Sequence, residues 1–238
     1  MWHNLEIDPI ENESRPYGRR AFLAAVGAGL SSLIWAQPLW RLVSPATNIL
    51  PSSLRNALPS GGWRIYTVAA TMPVFRPETW RLKIHGLVER PLELTYDDLR
   101  SMPRADQVSD FHCVTGWSVT NVRWGGVRFA DLLAAARPLP SAKALWFVSA
   151  EEPYVDSLSL EQAKLSDAML AYDMNGSPLQ RPHGAPARVI IPEMYGYMNT
   201  KWVREIIVGD KAIDGYWEQR GYDRNAWVGR SNGYSSSA

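Results

Sequence analysis

Hydrophobic and polar residues alternate over short stretches of the chain from Trp80 onward, and a period of two is typical of half-buried β-strands. The segment Trp80–Gly86 (WRLKIHG) shows this alternation most clearly. Ala144–Ala150 (ALWFVSA) is almost wholly apolar instead, which is typical of a buried strand. Further strands are predicted within residues 91–95, 106–114, 169–174, 186–192 and 201–209.

Three other segments carry helix signals. Thr95 is followed three residues later by Asp98, a capping-box pattern for a helix that begins directly after a strand. Residues 127–137 (VRFADLLAAAR) have apolar positions at helical spacing. Residues 159–166 (SLEQAKLS) are predicted to form a short capped helix.

The order of these elements indicates the fold class. Asn175-Gly176 follows the strand at 169–174 and is a strong hairpin signal. Short strands are interleaved with short helices, without the regular strand–helix–strand order of a doubly wound sheet. The sequence therefore predicts an α+β fold with mixed β-sheets.

The N-terminal segment has a different character. Arg19-Arg20 is followed by Phe22-Leu23 and then by an uncharged run that continues to Trp40. A twin arginine ahead of an apolar segment resembles the bacterial twin-arginine export signal. Residues 21–40 are also about long enough to span a bilayer, and no clean small-residue cleavage site follows them, so a retained membrane tether is the alternative.

Four regions are expected from this pattern. Residues 1–41 are predicted to be the export signal or an apolar anchor helix, and residues 42–62 a linker rich in Pro, Ser and Gly. Residues 63–230 are predicted to form the folded domain, and the Ser-rich residues 231–238 a flexible tail.

Composition excludes one large class of function. The chain has 25 basic and 24 acidic side chains, a net charge of +1, so no basic excess favours nucleic acid. Its eleven Trp and ten Tyr are many for 238 residues. Such side chains pack cores, and they also wall large cofactor pockets.

Cys113 is the only cysteine of the chain, and it cannot form a disulfide within the chain. Three interpretations stay open from the residues alone: a buried structural thiol, a nucleophile with His183 as its base, and a thiolate ligand of a soft or redox-active metal. No C-x-x-C, H-E-x-x-H, G-x-S-x-G or dinucleotide-binding pattern is present.

Three blocks of sequence carry a family resemblance. Residues 110–133 (DFHCVTGWSVTNVRWGGVRFADLL) resemble the cysteine-containing segment of the sulfite oxidase superfamily of molybdopterin enzymes. Residues 170–203 (LAYDMNGSPLQRPHGAPARVIIPEMYGYMNTKWV) are similar to that superfamily's signature almost throughout, and residues 215–223 (GYWEQRGYD) to its tyrosine segment. The resemblance implies the sulfite oxidase-type fold for residues 63–230.

The resemblance also implies a cofactor and its site. Cys113 would ligate molybdenum beside the two dithiolene sulfurs of one pterin, and Tyr222 would be the active-site tyrosine. His183 and Arg188 would hold the pterin and phosphate. Asn199, Thr200 and Lys201 would form a second clamp, and Ser149, Thr67 and Thr71 occupy places where relatives touch the cofactor.

This chain departs from sulfite oxidases proper at two places. Val114–Ser118 replaces their Ala-Gly-Asn-Arg-Arg after the cysteine, and Ala69–Pro73 replaces their Arg-Asn-His-Leu-Pro. Two cations expected around a sulfite dianion are therefore missing. Because the sequence ends soon after the tyrosine block, the dimerisation domain of many sulfite oxidases is not expected. These departures favour the bacterial, exported, single-domain members, including the periplasmic methionine sulfoxide reductase catalytic subunit.

The expected function is therefore oxygen-atom transfer by an exported enzyme on a sulfoxide-type or other small substrate rather than sulfite. The expected electron partner is a haem-containing membrane or soluble protein, and the expected location is the periplasm or the outer face of the inner membrane. Two alternatives remain at this point: a cofactor-free binding or assembly module, and a hydrolase that depends on Cys113.

Overall fold

The computed structural model describes residues 62–231 and 233. The predicted export signal or anchor (1–41), nearly all of the linker (42–62) and most of the tail (231–238) lie outside the described residues. Within the described part of the chain, no helix combines the length and the apolar character needed to cross a membrane.

The regular structure of this part consists of ten strands and three α-helices. In chain order they are β1 (Leu82–Gly86), β2 (Leu92–Leu94), α1 (Tyr96–Ser101), β3 (Ala105–His112), β4 (Ser118–Arg128), α2 (Phe129–Ala136), β5 (Ala144–Ser149), β6 (Val155–Ser159), α3 (Leu160–Ala163), β7 (Met169–Met174), β8 (Ser177–Pro178), β9 (Arg188–Ile190) and β10 (Val203–Gly209). Single turns of 3₁₀-helix lie at Arg181–His183, Gly196–Met198 and Glu218–Arg220.

The strands form two five-stranded sheets. The first has the order β2-β1-β10-β5-β6, in which β1 and β10 run parallel and the other pairs antiparallel. The second has the order β3-β4-β7-β8, with β9 also paired to β7, and it is antiparallel throughout. The prediction of an α+β fold with mixed sheets is confirmed.

The local signals fixed most of the short elements. Both predicted caps form, since Thr95 and Asp98 cap α1 reciprocally and Ser159 and Gln162 do the same for α3. Helix α2 begins two residues later than the predicted start at 127, because Val127 and Arg128 complete β4.

Strand β4 is the longest strand of the described residues, and the sequence pattern did not predict it. Its glycines, Gly125 and Gly126, interrupt the alternation and normally weaken a strand. Here a Cβ on Gly126 would collide with the carbonyl oxygen of Leu170 in β7. The glycine is therefore required by the close approach of two backbones, which a single-sequence pattern does not reveal.

The two sheets meet where β9 runs beside the segment that leads into β10. The Val189 N–H donates to the Thr200 carbonyl (2.8 Å), and the Val203 N–H donates to the Ala187 carbonyl (2.9 Å). This junction brings the loops around Arg188 and Lys201 together, at one end of the hydrophobic core.

Candidate active site

A cleft of about 220 Å³, partly open to solvent, lies at this junction. Six separate segments line it, so no single stretch of sequence contains the site. Its walls are formed by Trp63, Arg64, Ile65, Tyr66, Val68, Phe111, Cys113, Val114, Thr115, Trp117, Glu151, Tyr154, Pro182, His183, Arg188, Gly196, Tyr197, Asn199, Lys201, Trp217 and Tyr222.

Cys113 lies at the tip of the hairpin formed by β3 and β4. Its N–H donates to the Trp117 carbonyl (2.9 Å), and its carbonyl accepts from the Gly116 N–H (3.0 Å), which closes a tight turn. The free Sγ is partly exposed and lies 3.2 Å from Thr115 Oγ1. Strands flank this turn on both sides, so Cys113 does not lie at the N-terminus of a helix, where many cysteine nucleophiles are found.

The part of the chain that the structure describes provides no ready-made metal cluster near the thiol. Among residues 62–231 and 233, no group of three or more His, Cys, Asp or Glu side chains is placed to hold a metal ion.

Arg188 is a buried cation at the first residue of β9. It is 3% exposed, and none of the ion pairs formed by the described residues includes it. Its guanidinium donates to the carbonyls of His183 (3.0 Å) and Asn199 (3.3 Å), while its Nε has no hydrogen-bond partner. Burial lowers the pKa of Arg188 to about 9. A buried charge without a counter-ion is costly, so this part of the cleft favours an anionic ligand.

His183 ends a 3₁₀ turn beside Arg188 and is buried. Burial, reinforced by the charges of Arg188 and Lys201, lowers the pKa of His183 to about 4, so the imidazole is neutral at pH 7. Its Nδ1 has no hydrogen-bond partner. The next residue, Gly184, has φ +105, and a Cβ there would lie 2.9 Å from Cβ of Lys201, so only glycine allows the two loops to approach.

Lys201 is the second cation close to this surface. Its Nζ donates to the Tyr66 carbonyl (2.6 Å) and lies 4.0 Å from the ring centroid of Trp202. Burial and the nearby charge of Arg188 lower the pKa of Lys201 to about 7, although Glu151 acts in the opposite direction. A lysine in this state gains a proton readily when an anion binds beside it.

Asn199 has a structural side chain and lies on the cleft wall. Its Oδ1 accepts from the Ile191 N–H (2.8 Å), and its Nδ2 donates to the Tyr195 carbonyl (3.3 Å). These bonds shape the loop between β9 and Thr200. The backbone carbonyl of Asn199 remains free to accept the bond from Arg188.

The other four residues that the resemblance implied do not line the cleft. Ser149 and Thr200 are buried behind the wall, where Ser149 Oγ donates to the Lys201 carbonyl (2.8 Å) and Thr200 Oγ1 has no partner. Thr67 and Thr71 are exposed and lie off the wall, although their neighbour Val68 lines it.

Tyr222 belongs to an aromatic wall. Its ring centroid lies 5.1 Å from Tyr197 in an edge-to-face arrangement and 5.1 Å from Trp217. Both neighbours lie inside the blocks of sequence that carried the resemblance, so the signal that found Tyr222 could have found them. Such packing holds a tyrosine ring in one orientation.

The sequence did not predict several further lining residues, among them Glu151, Tyr154 and Trp63. Glu151 follows Ala150, the first residue after β5, and Tyr154 lies directly before β6. Neither lies in a motif or in a distinctive local pattern. The sequence pattern marks Trp63 only as the start of the domain. In the structure its ring centroid lies 5.0 Å from that of His183 and 4.9 Å from that of Phe111.

Two buried carboxyl groups, Asp156 and Glu218, lie behind the aromatic wall. Burial raises the pKa of Glu218 to about 7, and Asp214 acts in the same direction, whereas the backbone N–H groups of Glu218 and Gly215 act against it. Burial and the proximity of Glu218 raise the pKa of Asp156 well above its usual range. The two groups therefore favour the protonated state in the folded chain.

Glu218→Gln should change how stability depends on pH. The carboxyl ionises near pH 4.5 in the unfolded chain and near pH 7 in the folded one, so the unfolded chain binds fewer protons between these values. The contribution of Glu218 to the unfolding free energy therefore falls as pH rises. Relative to wild type, the glutamine variant should gain on the order of 2 kcal/mol between pH 5 and pH 8, measured by urea unfolding.

The effect of Glu218 must be read from the difference between Glu218→Gln and wild type, because His183 changes the unfolding free energy with pH in the opposite direction. Its pKa is lowered to about 4, so its contribution rises with pH up to its ordinary value of 6.5. Glu152→Gln, at an exposed carboxylate paired with Arg204, is the matched control. If Glu218→Gln and wild type keep the same pH slope, Glu218 is not a protonated buried acid.

Comparison with known proteins places the chain in a family. The sequence profile described as "Oxidoreductase molybdopterin binding domain" matches residues 69–217. Oxidoreductase YuiH of Bacillus subtilis, described as uncharacterized, is 36% identical over 143 residues, which are 60% of this chain and 72% of YuiH. Mitochondrial sulfite oxidase of Drosophila melanogaster is 33% identical over 177 residues, 63% of this chain and 31% of that protein.

A third relative is the protein-methionine-sulfoxide reductase catalytic subunit MsrP of Ralstonia nicotianae, 30% identical over 60% of this chain and 47% of its own. The chain thus spans under half the length of these two named enzymes. Among solved structures, the sulfane dehydrogenase SoxCD from Paracoccus pantotrophus has a TM-score of 0.57 and 31% identity, covering 61% of this chain and 42% of that one.

The fold is therefore that of the sulfite oxidase type. Because the profile match covers more than half of the sequence, the chain belongs to the family of oxidoreductase molybdopterin-binding domains and is a molybdopterin-dependent oxidoreductase of the sulfite oxidase superfamily.

Proposed function

We propose that this protein is an exported molybdenum enzyme that transfers oxygen atoms at a centre ligated by Cys113, with a sulfoxide-type compound as substrate. The observation that carries the proposal is the division of the cleft. Buried nitrogen groups without acid partners gather at Arg188 and His183, whereas the free thiol of Cys113 lies on an uncharged hairpin tip.

The residues of the cleft fit the cofactor. A molybdopterin carries a phosphate and a polar pterin, which need cationic donors and preorganised polar groups. Arg188 has an unused Nε and no acid partner, and His183 has an unused Nδ1. Lys201 adds a proton-accepting amine with a pKa lowered to about 7. These three side chains would hold the phosphate and pterin.

Each group of this chain has a separate task in the proposal. The bound cofactor would supply two-electron oxygen-atom transfer chemistry and would receive its two electrons one at a time. Cys113 would provide the protein thiolate to molybdenum, and the Thr115 hydroxyl, 3.2 Å from Sγ, would donate to that sulfur. Arg188 would balance the phosphate charge, and the neutral His183 would avoid adding a second fixed cation beside it.

The aromatic wall would bind the substrate. Tyr222 is held by Tyr197 and Trp217 and would donate a hydrogen bond to the substrate oxygen. Reduction of a sulfoxide to a sulfide consumes two electrons and two protons and releases one water. With a substrate bound, the wall would limit the access of water to the substrate sulfur, which would strengthen polar interactions inside the cleft.

The charge distribution near Cys113 favours an uncharged substrate over sulfite. Val114, Thr115 and Trp117 follow the cysteine on the wall, and none of them carries a positive charge. A sulfite dianion at this position would find no compensating cation among these three residues, and burial of an uncompensated charge is costly. The name of the relative MsrP supports the sulfoxide assignment, and the names of other relatives keep sulfite as the competing substrate.

Electron supply and location follow from the same proposal. Residues 1–41 would direct export by the twin-arginine route, and residues 21–40 would tether the domain if they are retained. A haem-containing protein, membrane-bound or soluble, would exchange electrons with the cofactor at the outer face of the inner membrane.

The test is a substrate comparison on protein produced with its own N-terminal segment in a host that makes molybdopterin. Molybdenum per chain is measured by plasma mass spectrometry, and turnover is measured with methionine sulfoxide and a reduced dye, then with sulfite and an oxidising dye. We expect near one molybdenum per chain and sulfoxide turnover at least about tenfold faster than sulfite turnover. Faster sulfite oxidation would overturn the substrate assignment, and metal-free protein would overturn the proposed site.

A further inference from the structure

We propose that Glu151 is a positioning residue that holds residues 63–73, here termed the strap, over the cleft and thereby retains the cofactor. This inference rests on the proposed function, because it assumes that the cofactor occupies the cleft. Glu151 lies outside the three blocks of sequence that carried the family resemblance. It is the only carboxylate among the lining residues and is 4% exposed.

The strap forms one wall of the cleft without regular secondary structure. Residues 63–71 contain neither helix nor strand, yet five strap residues line the cleft: Trp63, Arg64, Ile65, Tyr66 and Val68. A segment without ladder hydrogen bonds needs other partners for its backbone groups. Its position therefore depends on side chains from elsewhere in the chain.

Glu151 supplies the central attachment. Its Oε1 accepts from the N–H groups of Val68 (2.8 Å) and Ala69 (3.2 Å), which are 83 and 82 residues away in sequence. A carboxylate that accepts two backbone N–H groups makes charge-assisted hydrogen bonds, which are stronger than neutral ones. Burial shields these bonds from water.

The same residue is connected to the cation beside the cofactor. The Glu151 N–H donates to Ser149 Oγ (2.9 Å), and Ser149 Oγ donates to the Lys201 carbonyl (2.8 Å). Lys201 Nζ in turn donates to the Tyr66 carbonyl of the strap (2.6 Å). The strap and Lys201 are thus positioned by one network, in which Glu151 is the only charged acceptor.

Further attachments show why the strap would open locally rather than detach. Arg181 Nε donates to the Pro73 carbonyl (3.0 Å), and Arg181 Nη2 donates to the Met72 carbonyl. Loss of the Glu151 bonds would therefore loosen residues 63–69, which keep the Lys201 bond at Tyr66 and the ring packing of Trp63, while residues 72–73 stay attached. Arg64 is exposed within the loosened part, so trypsin can report the opening at one bond.

The experiment compares Glu151→Gln with Glu152→Gln in cofactor-loaded protein. Glutamine keeps the shape and removes the charge, and Glu152 is the exposed neighbour that pairs with Arg204. The readouts are the rate at which trypsin generates the fragment that begins at Ile65, and the rate of molybdenum loss during dialysis. We expect both rates to rise at least about tenfold in Glu151→Gln and to stay unchanged in Glu152→Gln.

A second variant covers failure of Glu151→Gln to fold. Val68→Pro removes the N–H that makes the shorter bond and leaves Glu151 in place, so it should reproduce faster cleavage and faster molybdenum loss. Wild-type rates of both in a folded Glu151→Gln protein overturn the proposal, as does faster cleavage without metal loss. Wild-type protein that never contains molybdenum would instead indicate that the proposed function fails.

Discussion

Cys113→Ser should leave the fold intact and reduce turnover by more than about a hundredfold, because loss of even an outer-shell partner of a metal ligand typically costs 10–100-fold. Cys113 lies in a hairpin turn that backbone hydrogen bonds close, and a serine hydroxyl can keep the contact with Thr115 Oγ1, so serine fits without strain. A serine hydroxyl is a far weaker ligand than a thiolate for a soft metal. The measurements are molybdenum per chain, turnover with methionine sulfoxide, and the melting temperature.

Alkylation of the thiol provides an independent check on this expectation. Iodoacetamide should label Cys113 slowly in cofactor-loaded wild type and rapidly after the cofactor has been removed, because a metal-bound thiolate is not free to react. A serine variant with wild-type turnover would refute the ligand role. Rapid labelling of fully loaded enzyme without loss of molybdenum would refute it as well.

Arg188→Met should change the stability of the cofactor-free protein little but should strongly reduce the molybdenum content. Methionine removes a buried cation that lacks an acid partner, but it also leaves the carbonyls of His183 and Asn199 without their donor. These two terms oppose each other, so the unfolding free energy of the cofactor-free chain should change by less than about 2 kcal/mol. Molybdenum content should fall at least about tenfold, since the phosphate loses its buried counter-charge.

Arg188→Lys and Arg204→Met complete the design. Lysine keeps the charge but not the planar fork of donors, so an intermediate molybdenum content is expected. Arg204 is a surface residue paired with Glu152, so its substitution should change neither loading nor stability. Full molybdenum content in Arg188→Met would show that the buried cation does not hold the cofactor.

The sequence by itself predicted the short elements, because their signals act over two to four residues. Alternation located β1, and the capping pairs at Thr95 and Ser159 located the starts of α1 and α3. The Asn175-Gly176 turn between β7 and β8 is likewise a local signal. Motif resemblance, which extends over longer blocks, identified the family that the profile match confirms.

The roles of individual site residues stay predictions, but the structure shows which of them share one cavity. Cys113, His183, Arg188, Asn199, Lys201 and Tyr222 all line the cleft, whereas Ser149, Thr200, Thr67 and Thr71 do not. A motif resemblance shows which residue of this chain corresponds to a functional residue of the family. It does not tell whether that side chain reaches the cavity, since a shift of one residue moves a side chain to the other face of a strand.

Only the tertiary structure decided the rest. Strand β4 contains Gly126 because β7 approaches its backbone too closely for a side chain. The hydrophobic pattern of the sequence does not encode that contact. Glu151 reaches Val68 across 83 residues, and Lys201 reaches Tyr66 across 135. Local patterns record which face of an element is buried, but bonds between distant segments exist only after the chain has folded. For that reason the sequence predicted the thiol and the cations, and the structure alone revealed the carboxylate that holds the strap over them.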